Sequence, residues 1–218
     1  MPWLGYFERI ARSDVHVVLD HVQFEKNSFI NRNKIRGKNS VNWLTIPVST
    51  KGQFGNLPIC NLAFAGPITW RKKHWESLKM SYSRATFFDH YRLPYQHIYS
   101  MEWSGFMPFL RALLKQHISD LGIKTSLVFS SDMNSSGHKS GLVLDICKSL
   151  GATTYLSGSQ GKNYIDNKAF IDNGITVEYQ DYKHPVYAQA WPGFESHLGI
   201  FDLLFNQGMD SLQIILAN

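Results

Sequence analysis

The sequence predicts an α/β fold: a largely parallel sheet with helices on both faces, in a single domain over residues 1–218. Three observations predict it. Short apolar runs bounded by turn residues recur at Val15 to Asp20, Trp43 to Val48, Ser126 to Ser130, Thr153 to Leu156 and Ile175 to Tyr179. Segments with apolar residues at helical spacing separate most of them, and strands that alternate with helices pack as parallel sheets covered on both sides. The 218 residues are 44% hydrophobic and 14% aromatic, enough to bury one substantial core.

Taken in order, Leu4, Phe7, Ile10 and Ala11 fall at helical spacing, so Pro2 to Ala11 reads as a helix that runs into the strand Val15 to Asp20, half of a βαβ unit. Phe24 to Lys38 is polar and basic and reads as a loop. Trp43 to Val48 reads as a buried strand, with Pro47 at an edge or turn. Trp70, His74, Trp75, Leu78 and Tyr82 mark Pro67 to Tyr99 as helical in two segments, interrupted near Ala85 and ended by Pro94. Ser104 to Leu121 places Phe106, Phe109, Leu110, Leu113, Leu114 and Ile118 on one face, and Gly122 stops it. Beyond the strand at Ser126 come a helix over Lys139 to Leu150 closed by Gly151, the strand Thr153 to Leu156, a mostly helical stretch Asn163 to Asn173, the strand Ile175 to Tyr179, and a short helix Ile200 to Asn206 with Gly208 behind it. There is no internal repeat.

Composition narrows the function classes. A net charge of +5 and a pI near 9.1 favour anionic partners such as nucleotide sugars, phosphates, nucleic acid or an anionic membrane surface. No nucleic-acid-binding module is recognisable, so a small-molecule substrate is expected and nucleic acid is not. Val15 to Leu19 and Ile214 to Ala217 are far shorter than the ~20 apolar residues a membrane span needs. Cys60 and Cys147 lack CxxC spacing and no secretion pattern opens the chain, which predicts a cytoplasmic protein without a disulfide. The nine histidines form no HExxH or Cys/His cluster, so no metal is expected, and no motif names a cofactor.

Polar residues at strand ends carry the candidate chemistry, because ligands of α/β sheets bind beyond the carboxyl ends of the strands. The stretch Gly151 to Gly208, with its turns rich in Ser, Gly, Asn, Tyr and Gln, reads as a binding face. Asp20 and Gln23 stand at the end of the first strand, where Asp20 either faces the crevice or caps local amides. Arg32, between Asn31 and Asn33, is either a planar fork for phosphate or carboxylate or part of a solvated loop. Gly158-Ser-Gln-Gly161-Lys162 follows a strand and precedes a helix, but two residues between the glycines rule out a P-loop. Tyr164, Tyr187, Gln189 and Phe194 offer rings and an amide for a sugar, or form a wet core rim. Asp202 and Asn206 share a helix face, unless Asp202 caps the helix. Ser130-Ser131-Asp132 groups hydroxyls with an acid at a strand end.

Pro2-Trp-Leu-Gly-Tyr-Phe7, Leu19-Asp-His-Val-Gln23, Asn31-Arg-Asn33 and Trp43-Leu-Thr-Ile-Pro47, with the segments after Gly151, resemble the WbqC-like family of bacterial proteins associated with O-antigen and other surface-polysaccharide gene clusters. The resemblance covers essentially the whole chain. It implies a role in lipopolysaccharide biosynthesis, either as an acyl- or aminoacyl-type transferase or ligase acting on a nucleotide-activated amino sugar, or as a non-catalytic nucleotide- or sugar-binding accessory protein. It assigns Asp20 and Asp202 to catalysis, and Tyr6, Gln23, Asn31, Arg32, Asn33, Ser157, Gly158, Tyr164, Tyr187, Gln189 and Asn206 to substrate binding, with Asp20, Arg32, Tyr164 and Tyr187 expected to line one pocket. Where the family commonly has a second Asp this chain has His21, which argues against a metal held by paired carboxylates. The family's first strand and its polar turn belong ahead of Pro2, where Met1 stands. Their absence would leave the edge of Val15 to Asp20 open.

Overall fold

A computed structural model describes residues 2–50, 52 and 55–217; Met1 lies outside them. The architecture is mixed α/β. Helix α1 (Leu4–Ala11) buries Leu4, Phe7 and Ile10, the residues that set its period, and leads into β1 (Val15–Val18). Strand β1 pairs in parallel with β4 (Ser126–Phe129), Val15 opposite Ser126 and Val18 opposite Phe129. Helix α5 (Lys139–Ser149) leads to a second parallel pair, β5 (Thr154–Ser157) with β6 (Thr176–Tyr179). Helix α6 (Asn167–Asp172) crosses between these two strands, capped by the Asp166 carboxylate, which accepts from the Ala169 N–H.

The α/β class holds, but the expectation of one shared sheet is corrected. The four parallel strands form two separate pairs among the described residues, and Trp43 to Val48 joins neither. Instead β3 (Val41–Thr45) pairs antiparallel with β2 (Arg32–Arg36), inside the stretch read as a loop. The reason is physical. The inward side of β2 carries Asn33 and Ile35, which are buried, while Arg32, Lys34 and Arg36 alternate with them. A polar residue on the buried face erases the apolar alternation by which a strand is read.

Helices α2 (Trp70–Tyr82), α3 (Phe88–Ser100) and α4 (Phe106–Asp120) pack into an aromatic core with Tyr82, Tyr95, Phe106 and Phe109. Pro94 does not end α3 but sits inside it on the exposed side. A mid-helix proline costs about 3 kcal/mol. Burying Tyr91, Tyr95, Ile98 and Tyr99 outweighs that, since one large side chain contributes roughly 1.5–3 kcal/mol.

Helix α7 (Ile200–Gln207) is buried from Ile200 through Phe205, and its Phe201 and Phe205 rings stack 5.5 Å apart one turn from each other. A helix apolar on nearly every side belongs at a centre, and α7 contributes to two of the core clusters. Helix α8 (Ser211–Leu216), which the sequence reading did not anticipate, packs on α1 and buries Ile215.

The polar side of α7 secures the neighbouring loop. The Asp202 carboxylate accepts from Tyr187 Oη at 2.9 Å and Gln189 Nε2 at 2.8 Å. Asn206 Oδ1 accepts from the Ala190 N–H at 2.8 Å, and Gln207 Nε2 donates to the Ala188 carbonyl. Residues 187–190 are thereby stitched along one helix. Burial raises the Asp202 pKa to about 6, against the hydrogen bonds from Tyr187 and Gln189, which lower it.

Two outcomes follow. An acid whose pKa is raised on folding stabilises fully below about pH 4 and loses that contribution as pH rises through about 6. Asp202→Asn keeps an oxygen acceptor for both donors, so it should stabilise the protein by on the order of 1–3 kcal/mol above about pH 7 and by nothing near pH 4, read from denaturant midpoints. Gly208 ends α7 at φ +58°, and an added Cβ would lie 2.5 Å from the Phe87 ring. Gly208→Ala should cost at least ~2 kcal/mol by the same measurement, since both backbone and packing resist it.

Candidate functional site

A cleft of about 1080 Å³ opens beside β1 and β5. Every residue from Asp14 to Asp20 lines it, and every residue from Gly151 to Leu156. Side chains alternate faces along a strand, so a cleft that touches consecutive residues runs along the strand's edge. The edges of β1 and β5 that β4 and β6 leave unpaired therefore border this space. Helix α1 contributes Tyr6, Arg9 and Arg12, and α4 and α5 contribute Leu113, Leu114, His117, Val143 and Ile146.

At the carboxyl end of β1, Asp20 is 1% exposed and tied to the end of β4. Its Oδ1 accepts from Ser130 Oγ at 3.1 Å and the Ser131 N–H at 2.8 Å, and its Oδ2 from Ser131 Oγ at 2.8 Å and Arg111 Nη2 at 3.2 Å. A carboxylate offers about four acceptor sites, and all are taken. The cap reading is thus half right: Asp20 satisfies an amide, but one 111 residues away rather than its own. Ser130 Oγ also lies 2.6 Å from His21 Nδ1 and accepts the Asp20 N–H at 3.0 Å. Arg111 forks onto both oxygens of Asp132, at 2.9 and 3.1 Å, and lies 3.8 Å from the Phe129 ring centroid. Sequence reasoning noticed the Ser130 to Asp132 group without its partners. Arg111, on an amphipathic helix, gave no signal.

Two buried imidazoles border the cleft. Tyr95 gives its hydroxyl proton to Asp120 Oδ2 at 2.6 Å, so the His117 Nδ1 at 2.7 Å is the donor of that contact, and Nε2 is left without a partner. His16, edge-on to the Tyr6 ring at 5.0 Å, also has an Nε2 without a partner, in both cases among the described residues. Burial pushes both histidines down to about 3, so both are neutral, with the charge of Arg9 adding to the effect at His16. Tyr6 is pushed up to about 12 by burial, against the pull of Arg9. Arg9 and His16 escaped the sequence reading, the one as a polar position of a helix, the other inside an apolar run.

The expected single pocket divides in three. Tyr6, Asp20, Gly158 and Tyr164 line the main cleft, with Tyr164 exposed at its rim. Ser157 is buried beneath Gly161, where an added Cβ would come within 1.9 Å of its hydroxyl. Asn31 and Arg32 border a separate hollow of about 290 Å³. There Arg32 lies 4.4 Å from the Trp43 ring centroid and donates to the Asn27 carbonyl, while Asn31 donates to the Ile46 carbonyl. Asn33 is buried in the hairpin, and Gln23 bridges the Phe24 carbonyl and the Leu57 N–H. Tyr187, Gln189, Asp202 and Asn206 form the α7 stitch away from the cleft, and Gly199 rather than Asp202 holds the N-cap position of that helix. Local periodicity cannot separate these groups, because each is assembled from distant segments.

Among the described residues no group of three or more His, Cys, Asp or Glu is placed to hold a metal, and no helix is long and apolar enough to cross a membrane. No solved structure matches the chain. It is 35% identical over 213 residues to the uncharacterized protein Rv1507c of Mycobacterium tuberculosis, a span covering 97% of this chain and 91% of that protein. The WbqC-like protein family matches residues 1–214. With that match running almost from end to end and the relative agreeing over the same span, the chain belongs to the WbqC-like protein family.

Proposed function

We propose that the protein serves surface-polysaccharide biosynthesis by holding a nucleotide-activated amino sugar in the β1–β5 cleft as the acceptor of an acyl or aminoacyl group, which makes it a cytoplasmic transferase or ligase. The family is linked to polysaccharide biosynthesis, and the cleft carries the rest of the reading. Small-molecule sites span roughly 300–1,000 Å³ with apolar walls and a few convergent polar groups. At about 1080 Å³ this cleft suits a ligand with both a nucleotide and a sugar, and Tyr6, Arg9 and His16 supply polar groups along its α1 side. Tyr164 at the rim offers an exposed ring for a sugar face.

In this reading Asp20 is a positioning residue. With its acceptor sites occupied it can take a substrate proton only by releasing a partner, whereas holding Arg111 and Ser131 against the end of β1 is what its geometry already does. The same saturation favours a second reading, in which the protein binds the activated sugar without turning it over.

Purified protein offered UDP-linked amino sugars with and without acyl donors should bind the nucleotide sugar and transfer the acyl group. Binding without transfer across donor classes selects the accessory reading, and no binding at all removes both. Asp20→Asn places an amide N–H against donors that need an acceptor. It should cost roughly 3–5 kcal/mol in denaturant unfolding, as expected for breaking a buried charge pair. A variant as stable as the parent that binds sugar but transfers nothing would instead return Asp20 to the role of general base.

A further inference from the structure

We propose that Arg9, His16 and the turn at Gly158 form a subsite for a phosphoryl group within the cleft. The proposal rests on the binding reading above and names which end of the ligand lies where.

Charge comes first. Arg12 is paired with Glu8 at 3.0 Å and lies 3.6 Å from Glu178, and Arg111 is paired with Asp20 and Asp132. Arg9 lines the same cleft with no carboxylate within ion-pair distance among the described residues. Its one side-chain hydrogen bond there, Nη1 to Gln180 Oε1, is 3.5 Å long, at the weak limit of such contacts. An arginine left with a free fork in a partly enclosed site is a ready oxyanion partner.

The turn is shaped around it. A Cβ at Gly158 would come within 2.4 Å of Arg9 Nη1, so only a glycine lets the guanidinium lie against this backbone. The backbone itself does not require glycine, since φ −65° and ψ 162° suit any residue. A Cβ here would therefore move the guanidinium rather than strain the backbone.

The third observation is independent. His16 lines the cleft, is 9% exposed, and leaves Nε2 buried with no hydrogen-bond partner among the described residues. A buried polar atom without a partner costs about 1–3 kcal/mol, which a ligand oxygen would recover. Arg9 comes from α1 and His16 from β1, so their donors need not share a plane. A planar carboxylate is satisfied by the arginine fork alone, whereas a tetrahedral phosphoryl group presents oxygens to both.

The test is calorimetric binding of inorganic pyrophosphate, UDP and acetate to the full chain, with melting temperatures to confirm folding. The parent should bind pyrophosphate and UDP and ignore acetate at the same concentration. Arg9→Ala should weaken pyrophosphate by at least about tenfold, the loss of a charge-assisted hydrogen bond. Arg9→Lys should recover only part of this, because the fork is gone. Gly158→Ala keeps every charge but displaces the guanidinium, and it should weaken pyrophosphate while leaving the fold intact. Lys168→Ala, on an exposed helix and paired with Asp172, is the control that changes net charge alone. Arg9 and Gly158 variants that bind pyrophosphate like the parent, or like the Lys168 control, overturn the subsite, as does a parent that binds neither pyrophosphate nor UDP. Pyrophosphate binding that depends on Arg9, with no gain from an attached amino sugar, leaves the subsite standing and removes the sugar reading. Tight sugar-nucleotide binding indifferent to Arg9 does the reverse.

Discussion

The buried carboxylate of Asp20 is the constraint on which the cleft depends. Four donors from two places converge on it: two hydroxyls and an amide from the end of β4, and a guanidinium from α4. Its own carbonyl accepts the Cys60 N–H, which draws the 59–61 turn to the same point. A carboxylate 1% exposed is tolerated only where such hydrogen bonds replace the water it has lost. The consequence is a fixed relation between two parallel strand ends and the helix behind them, at the end of the strand whose edge borders the cleft.

The second buried carboxylate, Asp202, does comparable work under different terms. It lies in the most apolar helix among the described residues, where its direct partners are hydroxyls and an amide and the Arg36 charge acts on it only from a distance. Neutral donors compensate less for desolvation than a guanidinium does, which is why its pKa is pushed up. Two acids that look equivalent in sequence thus have different roles, one shaping the cleft and the other fastening residues 187–190 to α7.

The walls of the cleft show a similar division. One side is apolar, built from α4 and α5, and the other carries Tyr6, Arg9 and His16 from α1 and β1. The edge-on contact of Tyr6 with His16 and the nearness of Arg9 to Tyr6, 5.7 Å from its ring centroid, hold these polar groups together on the α1 side. A ligand with an apolar or ring-shaped part and a charged part would be oriented by that asymmetry before any chemistry.

What the sequence by itself determined was the set of elements with a local period. Helices α1, α4, α5 and α7 and strands β1, β4, β5 and β6 were legible because helix and strand repeats place apolar residues at intervals that the backbone alone dictates. The resemblance in separated segments likewise gave the family without any contact being known. Tertiary structure alone decided the rest. Strand β2 exists because Asn33 is buried against its neighbours in spite of its polarity, and α3 survives Pro94 because four side chains on its other side are packed into the core. The division of the expected pocket into a cleft, a hollow and a stitch arises from contacts between residues about 110 apart, as for Asp20 and Ser130, or 171 apart, as for Arg9 and Gln180. No local pattern encodes which distant carboxylate finds four donors, or that Arg9 in the cleft has no carboxylate beside it among the described residues. Those outcomes depend on where the folded chain puts them and how much water is excluded there.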